Sequence, residues 1–314
     1  MLIARLLKRI LPLKIYKLIA NGFIIIPKYY KNIIDDTERY MSIASENNPK
    51  KDILLIRKYA HILDKGLHRK DAEPGHSTQI YTELKSLIDK LSNTDYREDP
   101  SYQWAKDRLD SYELLQINPE KFIPLQDTSV THSHVTYEML AQLIRHRRSC
   151  REFKEQIVED NEINQICNVI DWAASSCNKQ PLKVFVTNNP DLARECLKQC
   201  KGGTGFSDFI PSFWVITANC RGYVWPSEIM LPTLDASLGL QNILLASYTL
   251  GIYGTILSWA QKSEEEERCL RNLLSIPKEY IIVCCLVMGR PLSNFSTPSR
   301  KNTELSIVHS TINC

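Results

Sequence analysis

Apolar residues recur at helical spacing through the first third of the chain. Ile53, Ile56, Ala60 and Leu63 fall three or four positions apart, which predicts an amphipathic helix over 52–67 with Gly66 near its stop. The polar run Arg69–Gly75 closes on a Pro-Gly turn signal. Further helices are predicted over 77–91 and 102–115, before Pro119 and Pro124 interrupt the pattern. Residues 124–133 read as a linker. The chain therefore divides into a mainly helical segment, 1–135, and a second domain, 136–314.

After the linker the period changes. Helices are predicted over 137–147 and 159–175, the latter with Ile163, Ile166, Cys167, Ile170 and Ala174 on one face. Residues 183–187 alternate as a strand does, and 212–218 is an apolar strand bounded by Pro211 and Asn219. Residues 234–250 form a long helix so apolar that burial on most sides is expected. A buried strand over 280–288 is closed by Gly289 and Pro291. The order is helix, helix, strand, helix, strand, long helix, helix, strand. That is an α+β layout without regular βαβ alternation.

Composition narrows the function classes. A net charge of +3 over 314 residues gives no case for nucleic acid. The charge is unevenly placed, with seven Lys or Arg and no acidic residue between Met1 and Ile34. Leu2, Leu6, Leu7, Ile10 and Leu11 share one face of a basic helix, the pattern either of an interfacial helix or of one packed on the protein. The charges at Arg5, Lys8, Arg9, Lys14 and Lys17 break any leader-like apolar run, and no stretch is apolar enough to span a bilayer. The ten cysteines follow no zinc spacing and several sit in apolar runs, so they read as reduced thiols of a cytoplasmic protein.

Two segments carry candidate chemistry. In Arg145-His146-Arg147-Arg148-Ser149-Cys150-Arg151-Glu152-Phe153 several guanidiniums adjoin a hydroxyl, which suits a phosphate, because arginine offers planar paired donors and does not lose its charge. A solvated helix end, with cations complementing the dipole, explains the same run when it is taken alone. Ser175-Ser176-Cys177-Asn178-Lys179-Gln180-Pro181 concentrates small side chains and amide donors behind a helix, as the edge of a polar ring requires, or as a capped turn before proline provides. No G-x-G-x-x-G follows a strand, and Gly202-Gly203-Thr204-Gly205 lacks the lysine of a phosphate loop.

Taken in order, these segments resemble the flavin-dependent nitroreductase family. Arg-Arg-Ser-x-Arg-x-Phe precedes Ser-x-x-Asn-x-Gln-Pro, and Phe209-Ile210-Pro211 stands before a strand. Asp235–Ala246 looks like the family's central helix, Leu250-Gly251-Ile252-Tyr253-Gly254-Thr255 like the turn after it, and Val287-Met288-Gly289-Arg290-Pro291 like its closing strand. The resemblance spans about residues 137–305. It implies a central, mostly antiparallel sheet flanked by helices, and an FMN-dependent oxidoreductase that takes electrons from NAD(P)H or from its substrate. It places the FMN phosphate and ribityl chain on Arg147, Arg148, Ser149, Arg151 and Arg300, the ring or ribityl hydroxyls on Asn178 and Gln180, and the backbone of Gly254 and Thr255 near the flavin. It also implies a homodimer with FMN at the interface and a small-molecule substrate. No catalytic acid or base is named, since the flavin carries the chemistry.

Departures from the family pattern bear on the substrate. Cys177 stands where a small or hydroxyl residue is expected, Lys179 adds a charge near the ring, Tyr253 brings an aromatic into the turn, and Trp225 and Trp259 are pocket or core candidates. The helical extension is similar to that of nitroreductase-like proteins of bacterial surface-polysaccharide synthesis. Its basic N-terminus, residues 1–30, suits contact with the inner membrane face. Within the extension, His61, Asp64, Lys65 and His68 share a helical face that reads as a polar surface, a substrate cap or a metal site, with no metal assigned. A non-redox scaffold on the same fold at a membrane surface is the alternative function.

Overall fold

The computed structural model describes residues 15, 26–125, 134–223, 226–293, 295–301 and 303–307. The basic helix expected near the N-terminus, most of the linker and Trp225 lie outside the described residues.

Helix α1 (Ile26–Ser45) leads into α2 (Pro49–Leu67), α3 (Thr78–Leu91) and α4 (Pro100–Ile117). Local chemistry sets two of the starts. The Asn48 side chain accepts from the Lys50 amide at 2.9 Å and Asp99 from the Ser101 amide at 2.7 Å, each followed by a proline whose missing N–H costs nothing there. Ile56, Ala60, Leu63 and Leu67 of α2 interlock with Leu84, Ile88 and Leu91 of α3 and with Ala105, Leu109, Tyr112 and Leu115 of α4 in a separate core.

The second half begins with α5 (Tyr137–His146) and α6 (Asp160–Cys167). The helix expected over 159–175 stops early and gives way to a tight turn at Ile170–Trp172. The reason is tertiary: Ile170 packs so closely on Gly239 that a Cβ there would lie 2.6 Å from its Cγ1. Strand β1 (Leu182–Thr187), α7 (Pro190–Lys198) and β2 (Phe213–Asn219) follow, then α8 (Leu231–Thr249), β3 (Tyr253–Leu257), α9 (Glu264–Leu273) and β4 (Tyr280–Gly289).

The four strands form one antiparallel sheet in the order β1-β2-β4-β3. All seven residues of β2 are buried, as a central strand covered on both faces requires. Phe213 and Val215 pack with Ala193, Cys196 and Leu197 of α7 and Leu270 of α9, while Trp214 and Ile216 meet Ala236, Leu240, Ile243 and Leu244 of α8. Two expectations need correction. Helix α8 is not buried on most sides, since Leu234 and Leu238 are 53% and 42% exposed. The segment read as a turn around Gly254 and Thr255 is edge strand β3, because Gly251 alone makes the turn at φ +71°.

Helix α1 is clamped to this half. Glu267 of α9, 7% exposed at its side chain, takes Lys262 at 2.9 Å, Arg271 at 2.7 Å and Arg39 of α1 at 3.1 Å. Buried Arg221, after β2, reaches Glu46 at 3.0 Å and Glu279 at 3.4 Å.

Candidate functional site

The arginine-rich segment leaves the end of α5 and runs beside the edge strand β3. The Thr255 hydroxyl donates to the Cys150 carbonyl, Phe153 bridges to Pro291, and the Ser207 amide donates to the Arg151 carbonyl at 2.9 Å. Arg148 folds back on its own helix. Its guanidinium donates to the carbonyls of Arg145 and Arg147 and, at 3.1 Å, to the Thr297 hydroxyl. It thus caps α5 as a helix-end cation does, and it also ties the segment after β4 to this corner. Arg300 arrives on that segment.

Burial, then the nearby charges of Arg300 and Arg148, pull the Arg147 guanidinium below its ordinary pKa. Arg147, Arg148, Arg151 and Arg300 form no ion pair with a carboxylate among the described residues. Cations held together without a counter-charge repel one another, so an anion bound between them relieves an existing cost. Beside them lies a cavity of about 240 Å³ whose lining includes Arg148, Tyr248, Tyr253, Phe295 and Thr297. Tyr253 stacks edge-on to Tyr248 at 5.1 Å and lies 5.8 Å from Phe295. Ser149 and Arg151 are exposed in the same segment, whereas Cys150 is fully buried and burial pushes its thiol up to about 11.

Gly254 and Thr255 share this corner but are committed to packing. Thr255 is 3% exposed with its hydroxyl on Cys150, and a Cβ at Gly254 would come within 2.8 Å of Leu244. A glycine is needed here for the close approach of β3 to α8.

Asn178 and Gln180 belong to a different corner. Their loop enters β1, and the Asn219 amide donates to the Pro181 carbonyl at 2.8 Å. The register places Leu182 level with Ala218 and Ile281, and Thr255 level with Val287. Three strand spacings and six residues along β4 put Leu182 and Thr255, the sheet positions beside the two corners, about 25 Å apart. Asn178 and Gln180 thus leave the sheet at a different corner from the arginine segment.

The loop itself is closely held. Cys177, Asn178 and Gln180 have φ of 53°, 52° and 49°, a left-handed conformation that side chains with a Cβ rarely adopt. Beneath it, the Asp235 carboxylate, 1% exposed, accepts from the Ser176 amide and hydroxyl at 2.9 and 2.8 Å and from the Tyr223 hydroxyl at 2.8 Å. Burial, then Asp235, pushes the Tyr223 phenol well above its usual range. The Gln180 side-chain Nε2 donates to the Asn178 side-chain oxygen at 3.0 Å. Lys179 points into the protein and not out of the loop: it is 1% exposed, paired with Glu228 at 2.8 Å and 4.9 Å from the Tyr223 ring centre. Cys177 is exposed, and Trp259 belongs to the sheet core.

Sequence reasoning missed Asp235, Tyr223 and Arg57, whose Nε donates to the Asn178 carbonyl at 2.8 Å. A lone acid in the first turns of an apolar helix was the available signal for Asp235. Nothing local marked the other two. The polar face of α2 is an ion-pair surface, with Asp64 receiving Arg108 at 3.3 Å and lying 3.6 Å from His68. No His, Cys, Asp or Glu group among the described residues is arranged to hold a metal.

Residues 144–206 match the model of the nitroreductase family. An Archaeoglobus fulgidus protein named for NADH dehydrogenase/NAD(P)H nitroreductase activity is 29% identical over 157 residues, 49% of this chain and 86% of that protein. The Bacillus subtilis FMN reductase [NAD(P)H] is 24% identical over 182 residues, 53% of this chain and 71% of its own. A solved nitroreductase with bound FMN from Desulfitobacterium hafniense superposes on 54% of this chain and 97% of its own, with a TM-score of 0.43 and 20% identity. The matched segment begins in the arginine run, includes the Asn178 loop and ends before β2, so the likeness to the nitroreductase family covers the two stretches that carry the candidate chemistry.

Proposed function

We propose that this chain is an FMN-dependent oxidoreductase of the nitroreductase type that works as a homodimer with a flavin at each of two interface sites. The observation that carries the reading is the gathering of Arg147, Arg148 and Arg300 with no ion-paired carboxylate among the described residues, a donor set that fits a phosphate dianion. Arg147, Arg148, Ser149, Arg151 and Arg300 hold the FMN phosphate and ribityl chain, and the Gly254–Thr255 backbone lines the same corner. Asn178 and Gln180 of the partner subunit meet the ring. Bound there, FMN would supply two-electron hydride chemistry at N5, while the chain's own groups would bind and orient it. NAD(P)H is the donor in the names of the relatives, and a small molecule is the acceptor.

The 25 Å split between the corners supports the dimer, because a two-fold axis joins one chain's arginines to the other's loop. Exposed apolar surface supports it too. Helix α5 buries none of its side chains and exposes Met139, Leu140 and Ile144, and α8 exposes Leu234 and Leu238. The domains are residues 1–135 and 136–314. A cytoplasmic site with residues 1–30 against the inner membrane face follows from the acid-free basic N-terminus; no helix among the described residues is long and apolar enough to cross a membrane. A role in surface-polysaccharide synthesis rests on the resemblance of the helical extension.

The test is flavin uptake by the full chain. Wild type should bind FMN and oxidise NADH or NADPH with a quinone or nitroarene as acceptor. Arg147→Ala and Arg300→Ala should each weaken FMN binding about tenfold or more, the scale of a lost hydrogen bond to a charged group. A protein that stays colourless in excess FMN overturns the reading.

A further inference from the structure

The left-handed residues Cys177, Asn178 and Gln180 of loop 175–180 keep that conformation because their surroundings hold them there. From below it is held by Asp235, through Ser176, and by the burial of Lys179 against Glu228. From above it is held by a residue of the helical extension. Arg57 of α2 donates from Nε to the carbonyl of Asn178 at 2.8 Å and from Nη1 to the Ser101 hydroxyl at 3.3 Å. Its guanidinium lies over the Trp104 ring, 5.1 Å from the centroid, so α4 fixes the direction in which it points. Leu54 of the same helix lies 3.7 Å from where a Cβ on Gly222 would stand, so the two halves meet closely beside the loop.

We infer that Arg57 is a positioning residue through which the helical extension sets the ring-edge loop, fixing Asn178 and Gln180 and placing a permanent cation behind them. The inference rests on the flavin reading above and goes beyond it by giving the extension a task in the redox step. A carbonyl that accepts from a charged donor is held more firmly than one in water. A guanidinium near the ring favours the negatively charged reduced flavin, so its loss lowers the midpoint potential.

The experiment uses the full chain, with and without FMN, and the variants Arg57→Ala and Arg57→Lys. Without FMN, amide exchange at 176–180 should accelerate about tenfold in Arg57→Ala, the scale of one lost charged hydrogen bond. Exchange in the helical core at 84–91 and 105–115 should not change. With FMN, the midpoint potential should fall and kcat with NADH should drop about tenfold while KM moves little, because misplacement by a fraction of an ångström is felt in the reacting geometry. Arg57→Lys, which keeps the cation and one donor, should restore most of both effects. If Arg57→Ala loosens the helical core, Arg57→Gln replaces it and is judged in the same way. Unchanged loop exchange overturns the inference, and so does faster exchange with an unmoved potential. A wild type that takes up no FMN defeats the flavin reading instead, and the exchange measurement without FMN separates the two failures.

Discussion

Burying Lys179 beneath the Tyr223 ring leaves its ammonium dependent on Glu228 at 2.8 Å. Removing one partner of such a pair strands a charge in a poorly solvated place. Lys179→Ala should therefore cost about 3 kcal/mol in stability, seen as a lower urea midpoint, whereas the double change Lys179→Met with Glu228→Gln should recover part of it. An unchanged midpoint in the single variant would show that the pair contributes nothing. Residue identity alone made Lys179 a candidate ring-side charge, and its direction was decided by φ angles near +50° on its neighbours Asn178 and Gln180. The arginines were legible as candidates because a guanidinium offers planar paired donors and keeps its charge. Which of them gather was not legible, since Arg300 arrives from a segment about 150 residues further along the chain, joined there by the Arg148–Thr297 contact.

At the scale of elements, Gly239 locks α8 against the Ile170 turn. A Cβ there would lie 2.6 Å from Ile170 Cγ1 and 2.9 Å from Leu182 Cδ1. Gly239→Ala should destabilise the protein by about 1–3 kcal/mol, the usual cost of overpacking, and Ile170→Val in the same chain should return some of it; thermal unfolding measures both. The docking of α1 is a matter of charge. Burial works against ionised Glu267, but Lys262, Arg271 and Arg39 outweigh it and hold the carboxyl below its ordinary 4.5. A carboxyl depressed in the folded state adds stability above its unfolded pKa, and that stability is lost as pH falls through the folded value. Stability should therefore decline below about pH 4.5 more steeply in wild type than in Glu267→Gln, and urea titrations across that range would reveal parallel curves if the network is idle. The helices over 52–67, 77–91 and 102–115 were legible within a few residues because apolar spacing and prolines marked them. The helix over 159–175 was overcalled because its periodicity continues while Ile170 turns away to fill the gap above Gly239.

The whole molecule shows two candidate corners on one sheet and exposed apolar residues on α5 and α8. Placing glutamate at Leu140 and Leu238 together should yield a monomer by light scattering, and FMN affinity should fall at least about tenfold, since each site loses the half supplied by the partner. A monomer that binds FMN as wild type does would sink the shared site. By itself the sequence determined the α+β class, the helical extension, a run of arginines that suits a phosphate and the resemblance that names a flavin, because periodicity and residue chemistry are local properties. Only the tertiary structure decided that β3 is an edge strand, that the Asn178 loop and the arginine segment lie at different corners of the sheet, and that Arg57 of the extension donates to that loop. Those facts depend on strand order and on contacts between residues more than a hundred positions apart, which no local pattern encodes.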